Sequence, residues 1–227
     1  MKKSKIDWTD CTVNPVVGCQ RGCEYCYAKK LNDRFKWVED FAKPKFYPER
    51  LQQFDDKNPR SVFIDSMSDI CFWDYDWLEE TIKAISKNPQ HRYIALTKGD
   101  TSELFTRINY IRHRNNLNKI LLYIGKTITT IDQLDKYLLN GEYADFLSIE
   151  PILESLDVRS VLHTTHFIII GAETGNRKDK VVPKRKWIEN IVKECDEANV
   201  GVFMKESLRD IMGGKFRQDN LLWSVNG

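Results

Sequence analysis

The sequence predicts an α/β protein, an open partial (β/α)6 barrel of the TIM type, and three observations carry that prediction. Apolar, β-rich runs recur at roughly 20–35-residue intervals with amphipathic segments between them, the order expected of parallel strands joined by right-handed crossovers. The 227 residues supply six or seven such units, fewer than the closed eight-unit barrel of typically about 250 residues. No Gly-rich GxGxxG turn follows the first strand, as a flat doubly wound sheet would ask.

In chain order, the predicted strands are Thr12 to Val17, Ser61 to Asp65, Arg92 to Thr97, Ile120 to Gly125, Asp145 to Ile149, His166 to Gly171 and Gly201 to Lys205. Each is rich in Val, Ile, Phe or Tyr and bounded by turn or charged residues. The predicted helices are Tyr27 to Phe35, Asp76 to Lys87, Ser102 to His113, Ile131 to Leu139, Val158 to His163 and Lys186 to Ala198. Trp77, Leu78, Ile82 and Ile85 show the one-sided spacing of a helix that covers a sheet. Asp100 and Thr101 suit the cap of the third helix. One domain is expected over residues 1–227, interrupted by an irregular insertion, Trp37 to Arg60. Its prolines (Pro44, Pro48, Pro59) and aromatics (Phe41, Phe46, Tyr47) suit either a flank of the site or an ordinary surface excursion.

Composition excludes several classes. Lys and Arg number 35 against 33 Asp and Glu, a formal charge of +2. A protein whose main business is coating nucleic acid would be far more basic. The start, Met1 to Trp8, is charged without an apolar core behind it, so no signal peptide is read. The longest strongly apolar run, Phe167 to Ile170, is too short to span a bilayer. A cytoplasmic location with no membrane partner is expected. Six cysteines at this length do not read as a disulfide framework.

Three of those cysteines stand at CxxxCxxC spacing: Cys19, Cys23 and Cys26, with Tyr25 before the last. Three thiolates on one loop can each bind one iron of a 4Fe-4S cluster, and with no fourth cysteine at ligand spacing one iron is left open. The rival is a structural zinc site. Zinc takes four ligands, but only Cys11 lies nearby, and His91, His113, His163 and His166 are distant in sequence. Cys11, Cys71 and Cys195 read as small buried residues.

The loop follows the first predicted strand, and barrels of this kind carry their chemistry at strand carboxyl ends. The other ends are small or charged: Asp65 to Asp69, Thr97 to Asp100, Gly125 to Thr127, Ser148 to Pro151 and Gly171 to Gly175. They suit a ring of polar groups around a cavity.

The cysteine triplet with its aromatic resembles the signature of the radical S-adenosylmethionine (SAM) superfamily. Ile6 to Asp10 with Asn14-Pro15, Cys23 to Ala28, Leu96 to Lys98, Ser148 to Leu153 and Gly171 to Gly175 resemble a short phage- and bacterium-associated radical SAM-like family, over nearly the whole chain. Many of those proteins have a longer gap between the first two cysteines. Within the superfamily the chain is most similar to queuine lyases, which release the queuosine precursor preQ1 from queuine. The resemblance implies a fold of the radical SAM type and a SAM lyase. On that resemblance Cys19, Cys23 and Cys26 would hold a 4Fe-4S cluster, which would supply the one electron that breaks a carbon–sulfur bond of SAM to release methionine and a hydrogen-abstracting 5'-deoxyadenosyl radical. It also implies a small nucleobase substrate, for queuosine salvage, and an external electron donor of flavodoxin or ferredoxin type.

For SAM, the resemblance points to Ser66, Ser68 and Asp69 in place of the usual Gly-Gly-Glu, to Tyr25 beside the adenine, and to Lys126, Thr127, Gly171 and Glu173. Asn14, Asp65, Thr97, Glu150 and Lys205 are the candidate substrate contacts. A carboxylate can accept together the adjacent NH and amine of a deazaguanine, which singles out Glu150 and Glu173; a rim salt bridge is the plain alternative for both. The basic run Arg177 to Lys186 admits a second substrate class, DNA or RNA, or else a solvated face. A zinc-stapled binding module without catalysis is the third reading.

Overall fold

The computed structural model describes residues 1, 3–117 and 120–224. Backbone contacts divide the chain into two compact units, residues 1–123 with 223–227, and residues 124–222.

The first unit begins with two short strands, β1 (Cys11–Thr12) and β2 (Val16–Val17), where one continuous strand is predicted. Pro15 stands between them and has no N–H to give to a ladder. The strand β1 therefore pairs parallel with β4 (Ser61–Phe63), whereas β2 pairs antiparallel with β3 (Lys45–Phe46). Between β2 and β3 lies α1 (Tyr27–Phe35), at the predicted bounds. Buried Asn32 stops that helix locally: its amide exchanges two 3.0 Å hydrogen bonds with the backbone of Val38. The Trp37–Arg60 insertion is less irregular than expected, since it holds β3 and a 3-10 helix, Pro48–Asp55.

After β4 come α2 (Tyr75–Lys87), β5 (Arg92–Thr97) and α3 (Thr101–Arg114), each within a residue of expectation. Asp100 caps α3 by accepting from the Glu103 N–H at 3.0 Å. β4 and β5 run parallel, with Val62 opposite Tyr93. Leu78, Ile82 and Ile85 of α2 are fully buried, as the one-sided spacing requires, whereas Trp77 is only half-buried and stacks on Phe46 at 5.9 Å. Trp223 also belongs to this unit. It is fully buried, donates its indole N–H to Trp8 O at 2.8 Å and meets the Trp8 ring edge-on at 6.0 Å.

The strand β6 (Leu122–Thr127) leads into the second unit and lies two residues later than predicted. There follow α4 (Ile131–Leu139), β7 (Phe146–Ile149), β8 (Phe167–Ile170), α5 (Arg185–Ala198), β9 (Gly201–Met204) and a short α6 (Arg209–Met212) that was not predicted. The strands β6 to β9 pair parallel in sequence order. The helix predicted at Val158 to His163 is a single 3-10 turn, Arg159–Val161. Two of its six residues are β-branched and none of the six caps it with a side chain, so nothing sustains an α-helix there.

Strand alternation sorts the second unit's side chains. Leu147, Ile149, Ile168, Ile170, Val202 and Met204 point into one core with Leu134 and Tyr137 of α4 and Ile188, Ile191 and Cys195 of α5. The residues between them in sequence take the opposite face. Parallel strands alternating with helices, fewer than the eight units of a closed barrel, make this the open partial barrel that the sequence predicts. No helix among the described residues is long and apolar enough to cross a membrane.

The fold makes Trp223 a long-range clasp, 215 positions from Trp8. Trp223→Ala is expected to cost about 3–5 kcal/mol, read as a lower urea midpoint; an unchanged midpoint would show that the clasp contributes nothing.

Candidate functional site

The cysteine loop is built by backbone constraint. Gly18 holds φ +113° and Gly22 φ +70°, values that L side chains rarely adopt. A Cβ on Gly18 would stand 2.8 Å from Pro44 Cα, so the insertion walls the loop on that side. Gly18 N–H donates to Met67 O at 3.0 Å and Cys19 N–H to Phe41 O at 2.7 Å. At the far end Cys26 N–H donates to Cys23 O, and Cys26 then caps α1, its Sγ accepting from Lys29 N–H at 3.4 Å. Cys19 and Cys26 lie against an apolar cluster of Val17, Ala28, Val38, Phe41 and Met67.

All three thiols are half-buried and none of the six cysteines forms a disulfide. Burial pushes the Cys19 thiol up to about 11, with Asp69 and the nearby Cys26 and Cys23 adding to the rise. Among the described residues no three Cys, His, Asp or Glu side chains converge as a single metal ion would require. A 4Fe-4S cluster makes a different demand, one thiolate for each of three irons. Three sheltered thiols fixed on one loop fit that group.

The strand ends of the same unit lean on this loop. Asp69 accepts from Thr97 Oγ1, from Lys98 N–H at 3.0 Å and from Cys71 N–H at 3.2 Å, joining the loop after β4 to the end of β5. Lys98 in turn gives its carbonyl to Arg21 at 2.6 Å, and its ammonium lies 5.4 Å from the Tyr25 ring centroid. Asn14 Oδ1 accepts from Ser66 Oγ and Met67 N–H at 3.0 and 3.1 Å, while Ser68 Oγ accepts from the Trp73 indole at 3.0 Å. Asp65 is buried with Leu96 N–H on one oxygen and Ile70 N–H on the other. Burial raises its carboxyl well above the usual range and Asp69 adds to this, outweighing the two N–H donors. Asn14, Tyr25, Asp65, Ser66, Ser68, Asp69 and Thr97 are thus gathered in one unit, with most of their polar atoms spent on fastening loops to one another.

In the second unit, Glu150, Gly171 and Lys205 follow directly on β7, β8 and β9 and continue their register. Lys205 N–H bonds Ile170 O at 2.9 Å and Gly171 N–H bonds Ile149 O at 3.1 Å. The Lys205 ammonium pairs with the Glu150 carboxylate, both half-buried. A Cβ at Gly171 would come within 3.0 Å of Lys205 Cδ and 3.1 Å of Glu150 Cγ, so glycine leaves that pair its space. Glu173 is buried and takes a two-pronged ion pair from Arg177 at 2.8 and 2.9 Å. It lines a cleft of about 320 Å³ with Ala172, Thr174, Gly175, Lys180 and Ser207.

Lys126 departs from expectation. It lies inside β6 rather than after it, in phase with Ile128 of the helix-side core, and its ammonium is buried against Glu142 at 2.6 Å and over the Tyr137 ring. Thr127 takes the opposite phase. Cys11 and Cys195 are buried as expected, but Cys71 is half-buried, against Gly99, whose Cβ would stand 2.5 Å from Cys71 Cβ.

A family model described as a protein of unknown function, DUF5131, matches residues 3–216. The chain belongs to the DUF5131 family. No curated protein matches its sequence. Solved structures that this DUF5131 chain resembles include a cysteine-to-alanine variant of spore photoproduct lyase, at TM-score 0.57 and 11% identity over 89% of this chain and 78% of that one. A second holds dinucleoside spore photoproduct, at TM-score 0.55 and 11% identity over the same shares. A third, with AdoMet and the dinucleoside bound, matches at TM-score 0.54, also at 11% identity and over 89% and 78%. At that identity the likeness shows the fold.

Residues of the DUF5131 chain that sequence reasoning missed are the partners. Arg21 docks the cysteine loop, Glu142 neutralises Lys126, Ser207 Oγ accepts from Ala172 N–H at 3.0 Å, and Arg177 braces Glu173. Only Arg177 carried a signal, its four-residue spacing from Glu173, and the same residue stands at the head of the basic run.

Two outcomes follow for this DUF5131 chain. Gly18→Ala is expected to cost about 2–5 kcal/mol through strain and overlap. Gly22→Ala, with open space around its Cβ, should cost about 1–2 kcal/mol. Equal urea midpoints for the two variants would refute the wall at Pro44. The folded state keeps the Asp65 proton to higher pH than the unfolded chain does, so Asp65 lowers stability as pH climbs above the ordinary carboxylate range. Below that range it has no effect. Asp65→Asn should flatten the fall in midpoint that sets in as pH climbs above the ordinary carboxylate range; a profile as steep as before would mean that Asp65 is ionised throughout.

Proposed function

We propose that this DUF5131 protein is a radical SAM lyase that cleaves queuine to release preQ1. The observation that carries the reading is the half-buried thiol triplet of Cys19, Cys23 and Cys26, on a fold shared with a lyase solved with AdoMet. When bound, a 4Fe-4S cluster with SAM on its open iron supplies a hydrogen-abstracting radical, and the protein contributes position and dryness. In this reading the whole chain serves one catalytic domain in a reducing, cytoplasmic setting.

The residues divide the work. Cys19, Cys23 and Cys26 hold the cluster. The loop Ser66–Asp69, fixed by Asn14 and Thr97, offers SAM a rigid backbone edge, with Tyr25 at its adenosine. In the second unit Glu173 lines a cleft of its own. Glu150, held by Lys205, is the carboxylate for the adjacent NH and amine of the base. Glu173 already spends both oxygens on Arg177, and Lys126 is spent on Glu142, so both act by supporting the fold.

A second substrate class has an observation of its own: three of the similar solved structures hold dinucleoside spore photoproduct. A radical SAM lyase on DNA or RNA would use the exposed lysines of Arg177 to Lys186. Arg177 itself is engaged with Glu173.

The deciding experiment reconstitutes the protein anaerobically with iron and sulfide and adds SAM and dithionite, with and without queuine. Mass spectrometry should find 5'-deoxyadenosine that depends on queuine, together with preQ1. Slow 5'-deoxyadenosine formation regardless of queuine would keep the radical SAM reading and reject the substrate. None from a loaded protein would reject both. Glu150→Gln is expected to remove about 1.5–3 kcal/mol of substrate binding, roughly ten- to hundredfold in kcat/KM, while uncoupled SAM cleavage persists.

A further inference from the structure

We infer that the solvent face of α1, ending in the Phe35–Trp37 stack, is the docking surface for an acidic one-electron carrier protein of the flavodoxin class. The inference rests on the cluster reading above and adds where the electron enters.

The helix is exposed along most of its length, although the Tyr27 hydroxyl donates to Ser66 O at 2.6 Å. Of its nine residues only Ala28 and Asn32 are buried. Tyr27 is 47% exposed, Phe35 52% and, just beyond the helix, Trp37 41%, an unusual outlay of aromatic surface. Phe35 and Trp37 stack at 5.2 Å, and Arg34 lies 5.1 Å from the Phe35 centroid. From Tyr27 to Lys36 the chain carries Lys29, Lys30, Arg34 and Lys36 against one acid, Asp33. Exposed aromatic rings among an excess of cations make a patch of the transient docking type, complementary to an acidic protein. Redox encounters are also the class with the smallest interfaces, which a single short helix can provide.

Position selects the occupant. α1 starts at Tyr27, directly after Cys26, which caps it. At about 1.5 Å per residue, a protein seated anywhere on these nine residues lies within roughly 14 Å, along the axis, of the last cysteine. Single-stranded nucleic acid is the other ligand of basic, aromatic surfaces, but it needs open ring faces on which to stack bases. Here Phe35 lies against Trp37 and Arg34, and neighbouring Tyr47 against Lys45 and Arg50 at 5.2 and 4.1 Å. The Tyr47 hydroxyl donates to Trp37 O at 2.7 Å, which fixes the two groups to each other. The transfer is one electron, lost by the flavin hydroquinone as it becomes a semiquinone and gained by the oxidised cluster.

The test compares wild type with Lys30→Glu/Arg34→Glu. Binding of oxidised flavodoxin is measured on cluster-free protein at low and high salt. On loaded protein, loss of visible cluster absorbance is followed with flavodoxin hydroquinone or with dithionite as reductant. Wild type should bind in a salt-sensitive way. The double variant should bind, and be reduced by flavodoxin, on the order of tenfold more weakly and slowly, with dithionite reduction unchanged. Lys30→Arg/Arg34→Lys should behave as wild type. Flavodoxin binding or reduction that survives charge reversal would overturn the inference, as would an equal loss with dithionite. Binding of a short single-stranded oligonucleotide, lost in the variant while flavodoxin is unaffected, would overturn it in favour of nucleic acid. A protein that takes up no cluster sinks the radical SAM reading, whereas flavodoxin binding to the cluster-free protein reports on the surface alone.

Discussion

The Asp69 carboxylate is the anchor on which the cysteine loop depends. It accepts from Thr97 Oγ1, from Lys98 N–H and from Cys71 N–H, and so binds the carboxyl ends of β4 and β5 together. Lys98, fixed in this way, carries Arg21 on its carbonyl and lies over Tyr25 with its ammonium. Hydrogen bonds to an ionised acceptor are worth about 1.5–3 kcal/mol each, and a buried donor left without one is costly. A loop that must hold three thiols at fixed places has no regular secondary structure between Gly18 and Cys26 to rely on. Its rigidity comes from this relay and from the insertion behind Gly18. The insertion's role is thereby explained: Phe41 and Pro44 form the wall against which the loop is pressed.

Alternation along the strands governs the second unit in the same way. One residue of register separates Lys126, buried with Glu142 on the helix side, from Thr127 on the opposite face. The same parity brings Glu150, Gly171 and Lys205 into line at three neighbouring strand ends. Glycine at 171 is what allows an acid and a base from strands on either side to meet across it. A carboxylate held by such a partner keeps its orientation while its side chain stays partly exposed. Glu173, deeper and held by both arms of Arg177, suits the shaping of a loop.

The fold was legible in the sequence where local physics decides it. Period-two and period-3.6 apolar patterns located α1, β5 and α4 to the residue, and the capping Asp100 placed α3. It was misread where a local rule was overlooked or a helix had no support: Pro15 divides the first strand, and Val158 to His163 has neither cap nor strong propensity. The cysteine loop was legible because its chemistry lies within eight consecutive residues. The fate of each charged candidate was not. Whether Lys126, Glu150 or Glu173 faces a ligand or a counter-ion depends on Glu142, Lys205 and Arg177, and one of those partners, Glu142, was never a candidate. A sequence shows a charge and its spacing, whereas its partner is set by three-dimensional packing.

Partner choice bears directly on the substrate. A charge that the fold has already neutralised contributes little to recognition, because breaking a buried pair costs about 3–5 kcal/mol. Glu173 with Arg177 and Lys126 with Glu142 are pairs of that kind, each with a deeply buried carboxylate. Glu150 with Lys205 is less deeply buried, the side chains being 24% and 18% exposed, and sits at strand ends, where the penalty for exchanging partners is smaller. On the proposed function, an incoming base with adjacent donors would compete for Glu150 without leaving Lys205 isolated from water. Among the acids proposed at the strand ends of the second unit, Glu150 is therefore the one whose surroundings permit it to change partners.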